Sequence, residues 1–83
     1  MEIKFFNAKW CGPCKQMKPH IDKLQQEGYN IEEIDIDEFP SLAEDAEVRG
    51  VPTLMIFDNE GLQERVVGYQ DYDRLKKRID IYS

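Results

Sequence analysis

Apolar and polar residues follow one another in two different periods along this chain, and each change of period marks an element. Ile3, Phe5 and Phe6 form a short apolar run ending at Asn7, which reads as a first strand. From Pro13 to Glu27 the apolar positions Cys14, Met17, Ile21 and Leu24 recur at spacings of three, four and three. That period puts them on one helical face with Lys and Gln residues largely opposite, and Gly28 follows as a C-terminal cap. Between Ile31 and Asp37, Ile34 and Ile36 alternate with acidic residues, predicting a second strand with one apolar face. Ser41 with Glu44 fits a capping box behind Pro40, opening a short helix that stops before Gly50. Thr53 to Phe57 is almost uninterrupted in its apolarity and bounded by Pro52 and Asp58, as expected of a buried strand. Asn59-Glu60-Gly61 turns the chain, Gln63 to Val67 pairs back as a fourth strand, and Gly68 ends it. Asp71 caps a last helix whose apolar stripe is Tyr72, Leu75, Ile79 and Tyr82.

The predicted order is therefore strand, helix, strand, helix, strand, strand, helix. It implies an α/β domain with a four-stranded mixed sheet flanked by three helices. With 83 residues the chain has room for one core, so residues 1–83 are expected to form a single domain. Eleven basic against seventeen acidic side chains leave a net charge of -6, which repels phosphate backbones and anionic lipid and excludes nucleic acid and membrane as default partners. No stretch approaches the roughly 20 apolar residues of a membrane helix. The start, Met1 to Asn7, lacks the long apolar region of a signal peptide, so the expected location is the cytoplasm.

The chemistry of the chain concentrates in two cysteines, Cys11 and Cys14, placed where the first strand ends and the first helix begins. With Cys11 as N-cap, its sulfur accepts from the first-turn amides; Pro13 has no N–H, which leaves the Cys14 amide as donor. The helix dipole and the nearby Lys9 and Lys15 act in the same direction and draw the Cys11 pKa toward neutrality, where a thiolate attacks disulfides fastest. Cys14 lies on the inward stripe, shielded from solvent. This arrangement makes Cys11 a nucleophile and Cys14 the tethered thiol that resolves a mixed disulfide. Two alternatives compete. Half of a zinc site would need four ligands, and only Cys11, Cys14 and the distant His20 are offered. A static disulfide would close a loop too short to stabilise much. No metal is assigned; Glu32, Glu33, Asp35 and Asp37 lack the glycine-containing loop of a calcium site.

The segment Trp10-Cys11-Gly12-Pro13-Cys14-Lys15 resembles the active-site motif of the thioredoxin family without a mismatch. Pro19 matches that family's proline in the active-site helix, Gly50-Val51-Pro52-Thr53 resembles the segment carrying its cis-proline, and Gly68 falls where the family has a glycine beside the substrate groove. The similarity spans nearly the whole chain, without the first strand and helix of a full-length thioredoxin, and so resembles the minimal core shared with glutaredoxins. It implies a redox-active centre at Cys11 and Cys14, supported by Trp10, Gly12, Pro13, Lys15 and Pro52. It further implies a substrate groove made by Trp10, Val51, Pro52 and Gly68, in which the Val51 backbone pairs with an extended substrate by strand addition. No bound cofactor is expected; electrons come from a thioredoxin reductase or from glutathione, the partners are disulfide-containing proteins and a reductase, and the chain acts as a monomer.

Two positions depart from the family. Where it keeps a buried aspartate, this chain has Phe5, and where its partner lysine stands, this chain has Glu33. Glu33 is thus a candidate proton relay to Cys14, against the simpler reading of a solvated acidic strand. His20 lies off the helical face of Cys14 and is read as a surface or satisfied histidine. The leading expectation is a dithiol-disulfide oxidoreductase, used in electron transport and redox homeostasis. Gly68-Tyr69-Gln70-Asp71 is similar to a glutathione-binding turn and supports a glutathione-dependent alternative. A non-catalytic binding subunit on the same fold is the alternative from another class.

Overall fold

The computed structural model describes all 83 residues. In chain order they form β1 (Glu2–Asn7), α1 (Gly12–Gln26), β2 (Ile31–Asp35), α2 (Pro40–Asp45), β3 (Thr53–Asp58), β4 (Gly61–Val67) and α3 (Tyr72–Asp80). The four strands make one sheet in the order β2-β1-β3-β4. β1 runs parallel to β2, with Ile3 opposite Ile31 and Phe6 opposite Ile34. β3 runs antiparallel to both β1 and β4. This is the expected mixed sheet with three helices.

The central strands β1 and β3 carry apolar residues on both faces because helices cover both. Ile3, Phe5, Leu54 and Ile56 pack with Met17, Ile21 and Leu24 of α1 and Leu75 and Ile79 of α3 into one cluster. Phe6, Ile34 and Met55 turn the other way and meet Ala43 of α2. The partly buried Tyr29, Tyr72 and Tyr82 close the edge of the larger cluster. Their hydroxyls reach carboxylates: Tyr29 donates to Asp80 at 2.7 Å, Tyr72 to Glu27 at 2.6 Å and Tyr82 to Glu64 at 2.7 Å.

Several boundaries differ from the sequence expectation, each for a local reason. β2 ends at Asp35 rather than Asp37, because the Asp35 carboxylate accepts from the amides of Asp37 (2.8 Å) and Glu38 (3.4 Å) and turns the chain. α2 is not opened by a capping box: Phe39 is its N-cap without a side-chain bond, and Pro40 starts the helix with its pre-set φ, leaving Ser41 inside the first turn. It stops at Asp45, well before Gly50. Glu47 adopts a left-handed φ of 57° while the Val48 amide reaches back to the Ala43 carbonyl at 2.9 Å, a helix ending that glycine more often makes. At the end of α1 the same bonding pattern is made by Gly28, with φ 101° and the Tyr29 amide on the Leu24 carbonyl at 3.1 Å. β4 begins at Gly61, two residues earlier than expected, and the extra residue is absorbed by a register shift near Ile56 and Phe57. No helix is long and apolar enough to cross a membrane.

Candidate active site

β1 carries the chain to Ala8, and the Cys11 amide donates to the Ala8 carbonyl at 3.2 Å, so a tight turn delivers Cys11 to the start of α1. Cys11 is the N-cap with extended backbone angles (φ -88°, ψ 109°), and its sulfur accepts from the Cys14 amide at 3.2 Å. Pro13 in the first turn has no N–H to compete, as its position in the sequence required. Cys11 and Cys14 are joined as a disulfide, so the structure is that of the oxidised protein. Both are buried, in a small cluster with Ala8 against which Ile36 and Val51 pack.

Beside the pair, Trp10 is 67% exposed, and its indole N–H donates to the Asp37 carboxylate at 2.8 Å. A ring this open, held by a hydrogen bond, is not core filler. The Val51-Pro52 peptide is cis, Pro52 is buried, and the Pro52 carbonyl accepts from the Gly68 amide at 2.9 Å. Gly68 has φ 94°, a conformation that side-chain-bearing residues rarely adopt, which explains glycine there. Thr53 ties the loop with a bond from its hydroxyl to the Gly50 carbonyl at 2.7 Å. Neither the N–H nor the C=O of Val51 enters a backbone hydrogen bond, and Val51 packs against the cluster that holds the two cysteines. Trp10, Val51, Pro52 and Gly68 thus frame one side of the pair. Gly12 differs: its φ is not positive and a Cβ there would meet nothing within 4 Å, so neither conformation nor crowding demands glycine.

The other side is a cleft of about 490 Å³ that touches Cys14 but not Cys11. Phe5, Asn7 and Ala8 line it together with three lysines, Lys9, Lys15 and Lys18. Lys18 Nζ lies 2.7 Å from Asp22 and 2.8 Å from Glu33, and these bonds hold its ammonium above the ordinary lysine range, Asp22 contributing most. Lys9 sits 3.7 Å from Glu38 in an open contact, and Lys15 has no carboxylate partner. Glu33 therefore stands on the α1 side of β2 and is joined to the surroundings of Cys14 through Lys18, with a longer contact of 3.4 Å from Gln25.

Sequence reasoning missed Asp37 as the anchor of Trp10 and Lys18 as the cation on Glu33. For Lys18 a signal existed, since it lies one helical turn beyond Cys14 and one before Asp22. For Asp37, 27 residues from Trp10, there was none. His20 is engaged by the Tyr69 hydroxyl at 3.0 Å, as expected of a satisfied histidine. No group of three or more His, Cys, Asp or Glu residues is arranged to hold a metal ion.

Comparison with known proteins adds a family to this geometry. The family model described as Thioredoxin matches residues 3–81. Thioredoxin from Chlamydia caviae is 40% identical over 98% of this chain and 80% of its own length, and one from Staphylococcus aureus is 40% identical over 96% and 80%. Among solved structures, a mutant thioredoxin from Halobacterium salinarum superposes with a TM-score of 0.90 at 42% identity, covering 96% of this chain and 72% of that one. Oxidised mitochondrial thioredoxin 3 from Saccharomyces cerevisiae gives 0.85 at 34%, covering 95% and 76%. These relatives favour neither the glutathione-dependent nor the scaffold alternative.

Proposed function

The chain belongs to the thioredoxin family, and from that premise we propose that Cys11 is the nucleophile and Cys14 the resolving thiol of a protein-disulfide reductase. Family membership makes it a dithiol-disulfide oxidoreductase acting on disulfide-containing proteins, with the reversible Cys11-Cys14 disulfide as its redox group. The single observation that carries the assignment of roles is the bond from the Cys14 amide to the Cys11 sulfur at the helix N-cap, because only Cys11 receives that stabilisation as a thiolate.

In the reduced protein the Cys11 thiolate attacks one sulfur of the target disulfide, forming a mixed disulfide and expelling the other target sulfur as a thiolate, which takes a proton from solvent. Cys14, three residues away and held against Cys11, loses its proton and attacks the Cys11 sulfur. The Cys11-Cys14 disulfide forms and the target leaves with both cysteines reduced. The tether gives this second step a high effective concentration. Trp10 and the free backbone groups of Val51 support docking of an extended target strand, with Pro52 and Gly68 shaping the groove and Gly12, Pro13 and Lys15 supporting the helix start.

Glu33 serves as a positioning residue for Cys14 through Lys18. If it takes part in the resolving proton transfer, Glu33→Gln slows release of a trapped mixed disulfide and shifts its pH profile; an unchanged rate removes it from the mechanism. Electrons come from a reductase, and the protein acts as a monomer in the cytoplasm, a compartment that keeps such dithiols reduced.

Insulin reduction tests the whole reading. The wild type is expected to reduce insulin, with Cys11→Ser and Cys14→Ser each abolishing turnover, and recharging by thioredoxin reductase with NADPH is expected to outpace recharging by glutathione. Activity surviving in either variant, or a preference for glutathione, would contradict it.

A further inference from the structure

The chain just beyond Gly68 is held differently from the rest of the groove. Tyr69 and Gln70 join Gly68, which follows β4, to Asp71, the N-cap of α3. Both ends of this link are fixed by backbone amides: that of Gly68 donates to the Pro52 carbonyl at 2.9 Å, and that of Arg74 donates to the Asp71 carboxylate at 2.9 Å. Between them, neither Tyr69 nor Gln70 makes a backbone hydrogen bond. The hydrogen bond that holds the link comes from a side chain. The Tyr69 hydroxyl lies 3.0 Å from Nε2 of His20, and the two rings meet edge to face with centroids 6.0 Å apart. His20 belongs to α1, the helix that Cys11 caps and that carries Cys14.

We propose that His20 is a positioning residue for target docking: it holds Tyr69, and with it the groove wall beside Gly68, in register with the helix that carries the two cysteines. The proposal rests on the redox reading given above. Tyr69 is 40% exposed, so part of its ring is open to an incoming chain while its hydroxyl is held. A ring already held loses less freedom when a target docks, and ordering a free side chain at an interface costs about two- to tenfold in affinity. The contact also survives both charge states of the imidazole, because a hydroxyl can donate to a bare ring nitrogen or accept from a protonated one. His20 therefore acts on docking and moves no proton in the exchange.

Three substitutions separate the hydrogen bond from the bulk of the rings. Tyr69→Phe keeps the aromatic ring and removes the hydroxyl. His20→Leu keeps an apolar side chain on α1 and removes the ring nitrogens. His20→Gln carries an amide nitrogen at about the reach of Nε2 and should restore the bond. The first two remove the same bond from opposite ends, so either carries the test if the other fails to fold.

Each full chain is reduced beforehand, freed of reductant and mixed with excess insulin or with 2-hydroxyethyl disulfide, a small neutral disulfide that has no chain to dock. Oxidation is followed by the fluorescence of Trp10, the one tryptophan. In Tyr69→Phe and His20→Leu the half-saturating insulin concentration should rise about two- to tenfold at an unchanged limiting rate. The rate with the small disulfide should stay near the wild-type value, and His20→Gln should recover most of the loss. The double variant should lose no more than either single one, because both changes remove one bond. Amide nitrogen relaxation should show lower order at Tyr69 and Gln70 in each single variant. An unmoved half-saturating concentration, an equal loss on the small disulfide, no recovery in His20→Gln, additive losses in the double variant or unchanged order would each overturn the proposal. Failure of the redox reading itself would look different, since the wild type would then leave insulin unreduced.

Discussion

The two sides of the Cys11-Cys14 pair differ in what holds them together. On the groove side the supports are backbone features: the cis Val51-Pro52 peptide, the Gly68 amide on the Pro52 carbonyl, and an indole pinned to Asp37. On the cleft side they are side chains, an apolar floor continuous with the core through Phe5 and a rim of lysines with unequal partners. A surface fixed by backbone keeps its shape through many substitutions and suits a generic feature such as an extended strand. A surface made of side chains changes its charge and size with single substitutions. The two sides therefore differ in how far a single substitution can alter them.

The largest effect is expected from removing the floor that the cleft shares with the core. Phe5 is fully buried among Ile3, Met17 and Leu54, so Phe5→Ala should cost about 3–5 kcal/mol in denaturant unfolding. A loss under about 1 kcal/mol would mean that the floor is not part of the core. Next in size is Trp10→Ala on the groove side. Loss of its open ring should raise the apparent KM for a protein disulfide about fivefold to tenfold while leaving the rate with a small neutral thiol near the wild-type value. An equal effect on both substrates would show that Trp10 acts on the sulfurs and not on docking.

The smallest effect is expected along the tyrosine edge, where Tyr72 joins Glu27 after α1 and Tyr82 joins Glu64 of β4. Hydrogen bonding to Glu27 raises the Tyr72 pKa above its ordinary value of 10.0, and bonding to Glu64 does the same for Tyr82. A raised folded-state pKa means that this contribution is complete below about pH 10 and is lost as pH climbs through the folded values, when the phenolate can no longer donate. Melting temperature should therefore fall above pH 10, and the fall should be shallower in the Tyr72→Phe and Tyr82→Phe pair. An unchanged profile in that double variant would assign the loss to other groups.

Much of this was legible in the chain because it depended on local spacing. The stripe of Cys14, Met17, Ile21 and Leu24 placed α1 and buried Cys14, and the missing N–H of Pro13 identified the Cys14 amide as the donor to Cys11. Legibility failed where side chains redirect the backbone or where partners are distant. The Asp35 carboxylate ended β2 early by capping a turn, and Pro40 opened α2 without help from Ser41. His20 and Tyr69 are 49 residues apart and meet only because α1 and the segment after β4 share one end of the sheet. The cleft belongs to the same class, since no spacing shows that Phe5, Lys9, Lys15 and Lys18 line one cleft with Cys14.

Trapping separates the thiol that attacks from the thiol that resolves. Each single-cysteine variant, reduced and mixed with a disulfide-bonded protein target, is analysed for a covalent complex by non-reducing electrophoresis and mass spectrometry. The Cys14→Ser variant should accumulate a stable complex joined through Cys11, and the Cys11→Ser variant should form little. A complex joined through Cys14 as readily as through Cys11 would contradict the assignment of Cys11 as nucleophile.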